Sequence, residues 1–144
     1  MEHLIINLSE VQKEIKRLCV NRYREVDDFL LFAHNLIKLG VTRLSYDVVE
    51  NAHYFYSNDT LLYHLPAQET YNAIDVKSFN IADSLNIDML KTAIDAIDSY
   101  KLSVAEFHQE IANAGVIYAT VYLLQEKIYY LGQDAQYYLE CYAS

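Results

Sequence analysis

The sequence predicts an α+β fold in which a unit of two helices and three strands, ααβββ, occurs twice around a pseudo-twofold axis. Apolar residues recur at helical spacing in two pairs of segments, and after each pair the spacing changes to strand-like alternation. The two halves also align at a shift of 75 residues without a gap. Together these observations predict two three-stranded antiparallel meanders, each accompanied by helices.

The first helix pair is marked by its apolar spacing and its termini. A helix is predicted over about residues 10–20, preceded by Ser9 and Gln12 at capping-box spacing. In the second helix, Asp28 lies near the start, where the helix dipole favours an anion. Gly40 is placed to end that helix.

Three short strands follow the first helix pair. Leu44, Tyr46 and Val48 alternate with polar residues, which is typical of a strand with one buried face. Further strands are predicted at 52–57 and at 60–65, where Pro66 ends the run. These segments form the first meander.

The second repeat has the same order of elements. A helix is predicted from Ile87, and Ser103 with Glu106 forms a capping-box signature for the next helix, which Gly115 ends. Its strands are predicted at about 117–124, 127–131 and 136–141. The 144 residues are therefore predicted to be a single domain of two repeats, about 9–66 and about 84–142, joined by a linker around 67–83.

Six identities support the duplication within the window 32–63 and its shifted copy. They are Phe32 with Phe107, Gly40 with Gly115, Val41 with Val116, Tyr54 with Tyr129, Asp59 with Asp134, and Tyr63 with Tyr138. Helix-ending glycines and turn residues have fixed backbone roles. Their occurrence at matching positions in the two halves therefore favours a shared structure over chance.

The tyrosines are concentrated in the second meander, since seven of the 14 lie between residues 118 and 142. Tyr118, Thr120 and Tyr122 line one face of a strand whose other face is apolar, whereas the equivalent face of the first repeat is polar. We expect something to cover this aromatic face. The simplest candidate is packing of the two sheets on each other within the chain, and the others are a second copy, another protein or a ligand.

Hairpins closed around two-residue turns define an expected cross-strand register. The expected pairs are His53 with His64, Tyr54 with Tyr63, Tyr129 with Tyr138, Tyr130 with Tyr137, and Lys127 with Glu140. A bulge would shift this register by one residue. His53 and His64 form a weak candidate metal pair without an evident third ligand, so no metal is predicted.

The candidate binding residues lie in the second repeat. They are Tyr118, Tyr122, Tyr130, Tyr138 and Glu140. No catalytic residue is assigned, because Cys19 falls among apolar helix residues and the isolated glycines form no phosphate loop. No cofactor is predicted.

Charge and cysteine content narrow the class of protein. The net charge of −9 opposes binding to a nucleic-acid backbone. Two widely separated cysteines do not form a disulfide framework, and no signal peptide or membrane-spanning run is evident. We therefore expect a cytoplasmic protein without membrane association.

Several motifs resemble a known family. Ala114-Gly115-Val116, Gly132-x-Asp134 and Tyr138-x-Glu140 resemble the pattern of the YbcV/YdfO-like family of small bacterial and prophage proteins, often labelled "phage envelope protein". The resemblance implies a fold and supplies no catalytic residues. Ala135 stands where the family has a turn glycine, so a left-handed backbone there would be strained.

The sequence favours a binding or interaction module that uses the tyrosine-rich surface of the second repeat to contact another protein or its own copy. The alternative is a small enzyme or small-ligand binder with a pocket between the repeats. Its candidate residues are His53, His64, Tyr138 and Glu140. An enzyme is the less favoured interpretation.

Overall fold

A computed structural model describes residues 7–24, 28–66, 69 and 79–142. These residues form four α-helices and six strands, which confirms the α+β class and the duplicated ααβββ order. The helices are α1 (Leu8–Arg24), α2 (Phe29–Lys38), α3 (Ile87–Asp98) and α4 (Val104–Asn113). The strands are β1 (Arg43–Asp47), β2 (Ala52–Ser57), β3 (Thr60–Leu65), β4 (Val116–Tyr122), β5 (Lys127–Gly132) and β6 (Tyr137–Cys141). Most of the predicted linker lies outside the described residues.

The helix starts follow local capping chemistry. Ser103 and Glu106 form the predicted capping box of α4, and Asp28 caps α2 by accepting a hydrogen bond from the backbone N–H of Leu31. The predicted cap at Ser9 is wrong, because α1 already begins at Leu8 and the Asn7 side chain accepts from a first-turn N–H instead.

One antiparallel sheet contains all six strands, in the order β3-β2-β1-β4-β5-β6. At its centre Ser45 of β1 faces Thr120 of β4, and their hydroxyl oxygens are 3.1 Å apart. These two residues are equivalent under the 75-residue shift, so the pseudo-twofold axis passes between them. The expected packing of one meander on the other is therefore wrong: the meanders join edge to edge.

The first hairpin keeps the expected register next to its turn and departs from it by one residue beyond a bulge, whereas the second departs by one residue along its whole length. In the first, a bulge between Phe55 and Tyr56 shifts the ladder, and in the second the turn carries Ala135 at φ +69°. The backbone at Ala135 is thus left-handed, so the strain expected for a residue other than glycine applies there. The observed pairs are His53 with Leu65, Tyr54 with His64, Phe55 with Tyr63, Tyr129 with Leu139, Tyr130 with Tyr138, Leu131 with Tyr137, and Lys127 with Cys141. The predicted pairing of Lys127 with Glu140 and of His53 with His64 is wrong.

The sheet has an inner face, packed against the helices, and an outer face without a helix layer among the described residues. Buried inner-face residues such as Leu44, Phe55 and Val121 join helix residues such as Ile15 and Ile111 in one hydrophobic core. Burying a large apolar side chain stabilises the fold by about 1.5–3 kcal/mol. Within the described ranges, no helix is both long enough and apolar enough to span a membrane.

The outer face carries a tyrosine patch, defined by Tyr118, Tyr122, Tyr129, Leu131 and Tyr137. Each of these side chains is 38–61% exposed. The predicted two-sided character of the second meander is confirmed, because Ala119 and Val121 are buried on the other face of the same strand.

Candidate functional site

A pocket of about 280 Å³ lies between the helix layer and the inner face of the sheet. Residues of both repeats line it, including Phe29 from α2, Ile94 from α3 and Phe107 from α4. The sheet contributes Leu44 and Ala119 from its two central strands. The alternative interpretation of the sequence expected a pocket between the repeats; the observed pocket lies between the two layers and is lined by residues of both repeats.

The pocket lies against a small side chain at the centre of the sheet. Ala119 of β4 is equivalent to Leu44 of β1 under the 75-residue shift, and both residues line the pocket. A leucine in each repeat would place three additional carbon atoms in this space. The difference between these two residues therefore contributes to the cavity.

A cluster of histidine and tyrosine rings forms one side of the pocket. The hydroxyl of Tyr23 lies 3.2 Å from Nδ1 of His108 and 3.5 Å from Nε2 of His53. The Tyr46 ring stacks on the His108 ring with centroids 3.9 Å apart, and its hydroxyl donates to Asn51. Strand β2, helix α4, helix α1 and strand β1 thus each supply one ring.

Both histidines are buried and uncharged. Burial lowers the pKa of His53 to about 3 and that of His108 well below its usual value, and the positive charge of Arg22 adds to both effects. Nδ1 of His53 has no hydrogen-bond partner among the described residues. A buried polar atom in this state is destabilising, and Nδ1 is buried too deeply for a molecule in the pocket to contact it directly.

A carboxyl group forms a second polar region. The hydroxyl of Tyr130 donates to Oε1 of Glu140 at 2.8 Å. Burial raises the pKa of Glu140, the Tyr130 hydrogen bond opposes this shift, and the nearby Asp98 and Asp95 raise it further. Glu140 is therefore easier to protonate than an exposed glutamate.

The predicted binding residues divide between the two faces. Tyr130 and Glu140 line the pocket, and Tyr138 lies beside Tyr130 on the inner face with the Lys91 ammonium 5.6 Å from its ring centroid. Tyr118 and Tyr122 instead belong to the tyrosine patch on the outer face. The structure does not bring these two groups together.

The two candidate metal ligands are also separated. His53 points into the inner layer, whereas His64 stacks on Tyr54 on the outer face, with ring centroids 4.6 Å apart. In the part of the chain that the structure describes, no three His, Cys, Asp or Glu side chains are grouped to hold a metal ion.

Sequence reasoning did not identify Arg22, Tyr46 or His108 as pocket residues. A signal for them exists in the internal repeat, because five polar or aromatic residues of the pocket have apolar equivalents at the 75-residue shift. The equivalent pairs are Arg22 with Ile97, Tyr46 with Val121, His53 with Ile128, His108 with Ala33, and Glu140 with Leu65. The departures from internal symmetry thus include the principal polar groups of the pocket.

Comparison with protein families shows that residues 16–140 match the family described as "Protein of unknown function (DUF1398)". The match covers most of the chain, and the chain belongs to this family. No curated protein matches the sequence.

Proposed function

We propose that this member of the DUF1398 family binds a small, largely apolar organic molecule in the pocket between the helix layer and the sheet. The observation that carries the proposal is the concentration of buried polar groups, including His53 and His108, around a cavity of about 280 Å³. The site adjoins both repeats, so each repeat contributes part of it.

The pocket leaves space between the two layers that the protein's own side chains do not fill. Protein interiors are close-packed, and voids larger than a water molecule are few. A ligand that fills the space would supply the van der Waals contacts that the protein's own side chains leave unmade there.

The lining favours a flat aromatic ligand. Aromatic side chains from both layers surround the space, and such rings gain from stacked or edge-to-face contact with another ring. These side chains are Phe29, Tyr46, Tyr100, Phe107, Tyr130 and Tyr142.

A fluorescence titration with 2-naphthol tests the proposal, since the chain contains no tryptophan. The Ala119→Leu variant places the first-repeat residue in the pocket, and Tyr122→Ser on the outer face serves as the matched control. We expect saturable binding by the wild type and by Tyr122→Ser, and at least a roughly tenfold loss of affinity in Ala119→Leu because leucine occupies the space. Equal binding by both variants, or no saturable binding by the wild type, would contradict the proposal.

A second candidate function is self-association through the tyrosine patch. This function corresponds to the interaction module that the sequence predicts. The patch keeps five large side chains at least 38% exposed. Its two ends differ in charge. At one end, Arg43 and Lys127 flank Tyr122 in one cross-strand row. At the other end, Glu50 follows strand β1, which ends beside Tyr118. A second copy turned end for end would place unlike charges near each other.

Light scattering tests the second candidate directly. We expect the wild type to form a dimer and a Tyr118→Ser/Tyr122→Ser variant to be a monomer, since the exchange removes apolar area from the centre of the patch. A wild type that stays monomeric at high concentration would exclude this function.

Three further properties of the protein are proposed from the sequence alone. A cytoplasmic location, a prophage origin and kinship with the YbcV/YdfO-like proteins remain predictions from composition and motif. That the protein is not an enzyme is likewise a prediction from the sequence.

A further inference from the structure

Resting on the proposed function, we infer that the ligand carries a protonated amino group, which is held at the side of the pocket where Glu140 and Asp98 lie. The pocket would then take an arylalkylamine, whose ring fills the space between the layers. The inference follows from the carboxylates on this side, from the aromatic rings beside them and from the position of Arg22.

Carboxylates from both layers line this side of the pocket. Oε1 of Glu140 accepts a hydrogen bond from the Tyr130 hydroxyl at 2.8 Å, so this carboxylate is fixed on the sheet. Asp98 is the last residue of α3 and comes from the helix layer. Burial raises the pKa of Tyr130, and the charges of Glu140 and Asp98 raise it further. Both carboxylates therefore lie near the same phenol, and a ligand there meets both.

The negative charge on this side is not balanced by a described residue at Glu140. Among the described residues Glu140 forms no ion pair, and the Lys91 ammonium lies against the Tyr138 ring instead, 5.6 Å from its centroid. The last turn of α3 contains Asp95 and no basic residue, although a helix C-terminus favours a cation. An ammonium group on the ligand would compensate this charge.

Aromatic rings on the same side also favour a cation. Tyr100, Tyr130 and Tyr142 line the pocket. Tyr130 is bonded to Glu140, Tyr142 follows Glu140 by two residues, and Tyr100 follows Asp98 by two residues. The face of an aromatic ring attracts a positive charge, and the attraction increases where water is excluded.

Arg22 also lines the pocket, and its positive charge acts on the histidines. Burial lowers the pKa of His53 and of His108, and Arg22 lowers both further. The guanidinium carbon of Arg22 lies 4.4 Å from the centroid of the Phe32 ring. The pocket thus has a basic side near the histidines and an acidic side at Glu140, and the amino group of the ligand is directed to the acidic side.

Four probes with one ring system test this requirement in the wild-type protein at pH 7. They are 2-(aminomethyl)naphthalene, which is protonated at this pH, its neutral isostere 2-naphthalenemethanol, the hydrocarbon 2-methylnaphthalene and the anion 2-naphthoate. We expect the amine to bind at least about tenfold more tightly than the alcohol, because a charged donor bonds more strongly to a carboxylate than a neutral donor does. We expect 2-naphthoate to bind most weakly. Fluorescence titration at physiological ionic strength limits the attraction of the amine to the net charge of −9 from a distance.

The outcomes distinguish this inference from the proposed function. Equal affinity for the amine and the alcohol would leave the pocket as a binding site but overturn the requirement for a positive charge. Tighter binding of 2-naphthoate than of the amine would overturn it as well. No binding of any of the four probes would contradict the proposed function and this inference with it.

Two glutamate variants locate the effect. Glu140→Gln keeps the size of the side chain and an acceptor for the Tyr130 hydroxyl, and Glu10→Gln makes the same change of charge at an exposed position of α1. We expect Glu140→Gln to bind the amine about tenfold more weakly than the wild type and the alcohol equally well, while Glu10→Gln keeps the wild-type ratio. An unchanged ratio in Glu140→Gln, or an equal change in both variants, would overturn the assignment to Glu140. The wild-type probe series decides the ligand class if Glu140→Gln does not fold.

Discussion

The two repeats share a backbone and differ in the side chains that they direct into the pocket. Helices α2 and α4 begin and end at positions 75 residues apart, as do strands β2 and β5. The helix-ending glycines, Gly40 and Gly115, also have nearly equal φ angles of +90° and +93°. The backbones of the two repeats are thus symmetric but the pocket is not, because His53, His108 and Glu140 stand opposite the apolar residues Ile128, Ala33 and Leu65.

The outer face shows a second difference between the repeats. Ser45 and Thr120 keep a polar pair on the pseudo-twofold axis, but beside them the first repeat has Arg43 where the second has Tyr118. The first repeat therefore presents a more polar surface, and the second contributes the tyrosine patch. Side chains on both faces diverged while the ladder between the repeats stayed regular.

The largest expected difference between the repeats concerns their helix-ending glycines. A Cβ atom at Gly115 would overlap the backbone carbonyl of Ser84, whereas one at Gly40 would meet no atom within 4 Å. We expect Gly115→Ala to lower the free energy of unfolding by about 3 kcal/mol or more, from backbone strain plus overpacking. Gly40→Ala should cost only about 1 kcal/mol, from strain alone. Urea unfolding measures both, and equal costs would contradict the different packing of these positions.

Exchanging the central leucine and alanine tests the asymmetry of the cavity. Leu44 is 3% exposed, so Leu44→Ala should lower the free energy of unfolding by about 2–4 kcal/mol. Ala119→Leu should change it by less than about 1.5 kcal/mol, because the pocket offers room for the added atoms. Urea unfolding of both variants provides the measurement. A large loss in Ala119→Leu would mean that the space beside Ala119 cannot accept a leucine side chain.

The buried histidines predict a loss of stability in acid. An unfolded histidine takes up a proton near pH 6.5, whereas His53 in the folded protein has a pKa of about 3. Between these values the unfolded chain binds more protons, so the free energy of unfolding falls as the pH decreases from about 6.5 toward about 3. His108 acts in the same direction, and each histidine contributes at most about 1.4 kcal/mol per pH unit.

Urea unfolding between pH 7 and pH 4 measures this slope. His53→Ile, which introduces the residue found at the equivalent position 128, should reduce it by about half because one of the two buried imidazoles is removed. The matched control exchanges His34, whose side chain is exposed, for the glutamine found at position 109. Glu140 opposes the histidines, since its raised pKa gives stability at low pH that is lost as the pH rises through its folded pKa. A slope unaffected by His53→Ile would contradict the burial of a neutral imidazole.

The smallest expected effect is a difference in the free energy of unfolding between glycine variants of the two hairpin turns. Ala135 adopts φ +69°, and Asn58 in the first hairpin adopts φ +51°. Ala135→Gly should raise the free energy of unfolding by about 0.5 kcal/mol because it relieves left-handed strain. Asn58→Gly should bring no comparable gain, since asparagine tolerates this conformation. Thermal unfolding compares the two variants, and a gain at Asn58 without one at Ala135 would contradict the assigned turn geometry.

Much of the fold could be predicted because the physical signals were local or repeated. Apolar spacing located the helices, and the capping box at Ser103 identified the start of α4. The register could not be predicted, because alternation does not reveal a bulge such as the one between Phe55 and Tyr56. Alternation also does not specify whether two meanders stack or join at their edges.

The site was less accessible to sequence reasoning. Tyr130 and Glu140 were identified from an aromatic cluster, but Arg22 and His108 lie on helices far from them in sequence. Their convergence depends on how the helix layer crosses the sheet, which periodicity does not encode. The repeat offered the missing signal, since His108 stands opposite Ala33 in the aligned halves.

The most direct test of the account is a crystal structure of the protein with 2-naphthol bound. We predict electron density for the probe between the helix layer and the inner face, in contact with Ala119. Density only on the tyrosine patch, or none in the pocket at saturating probe concentration, would contradict it.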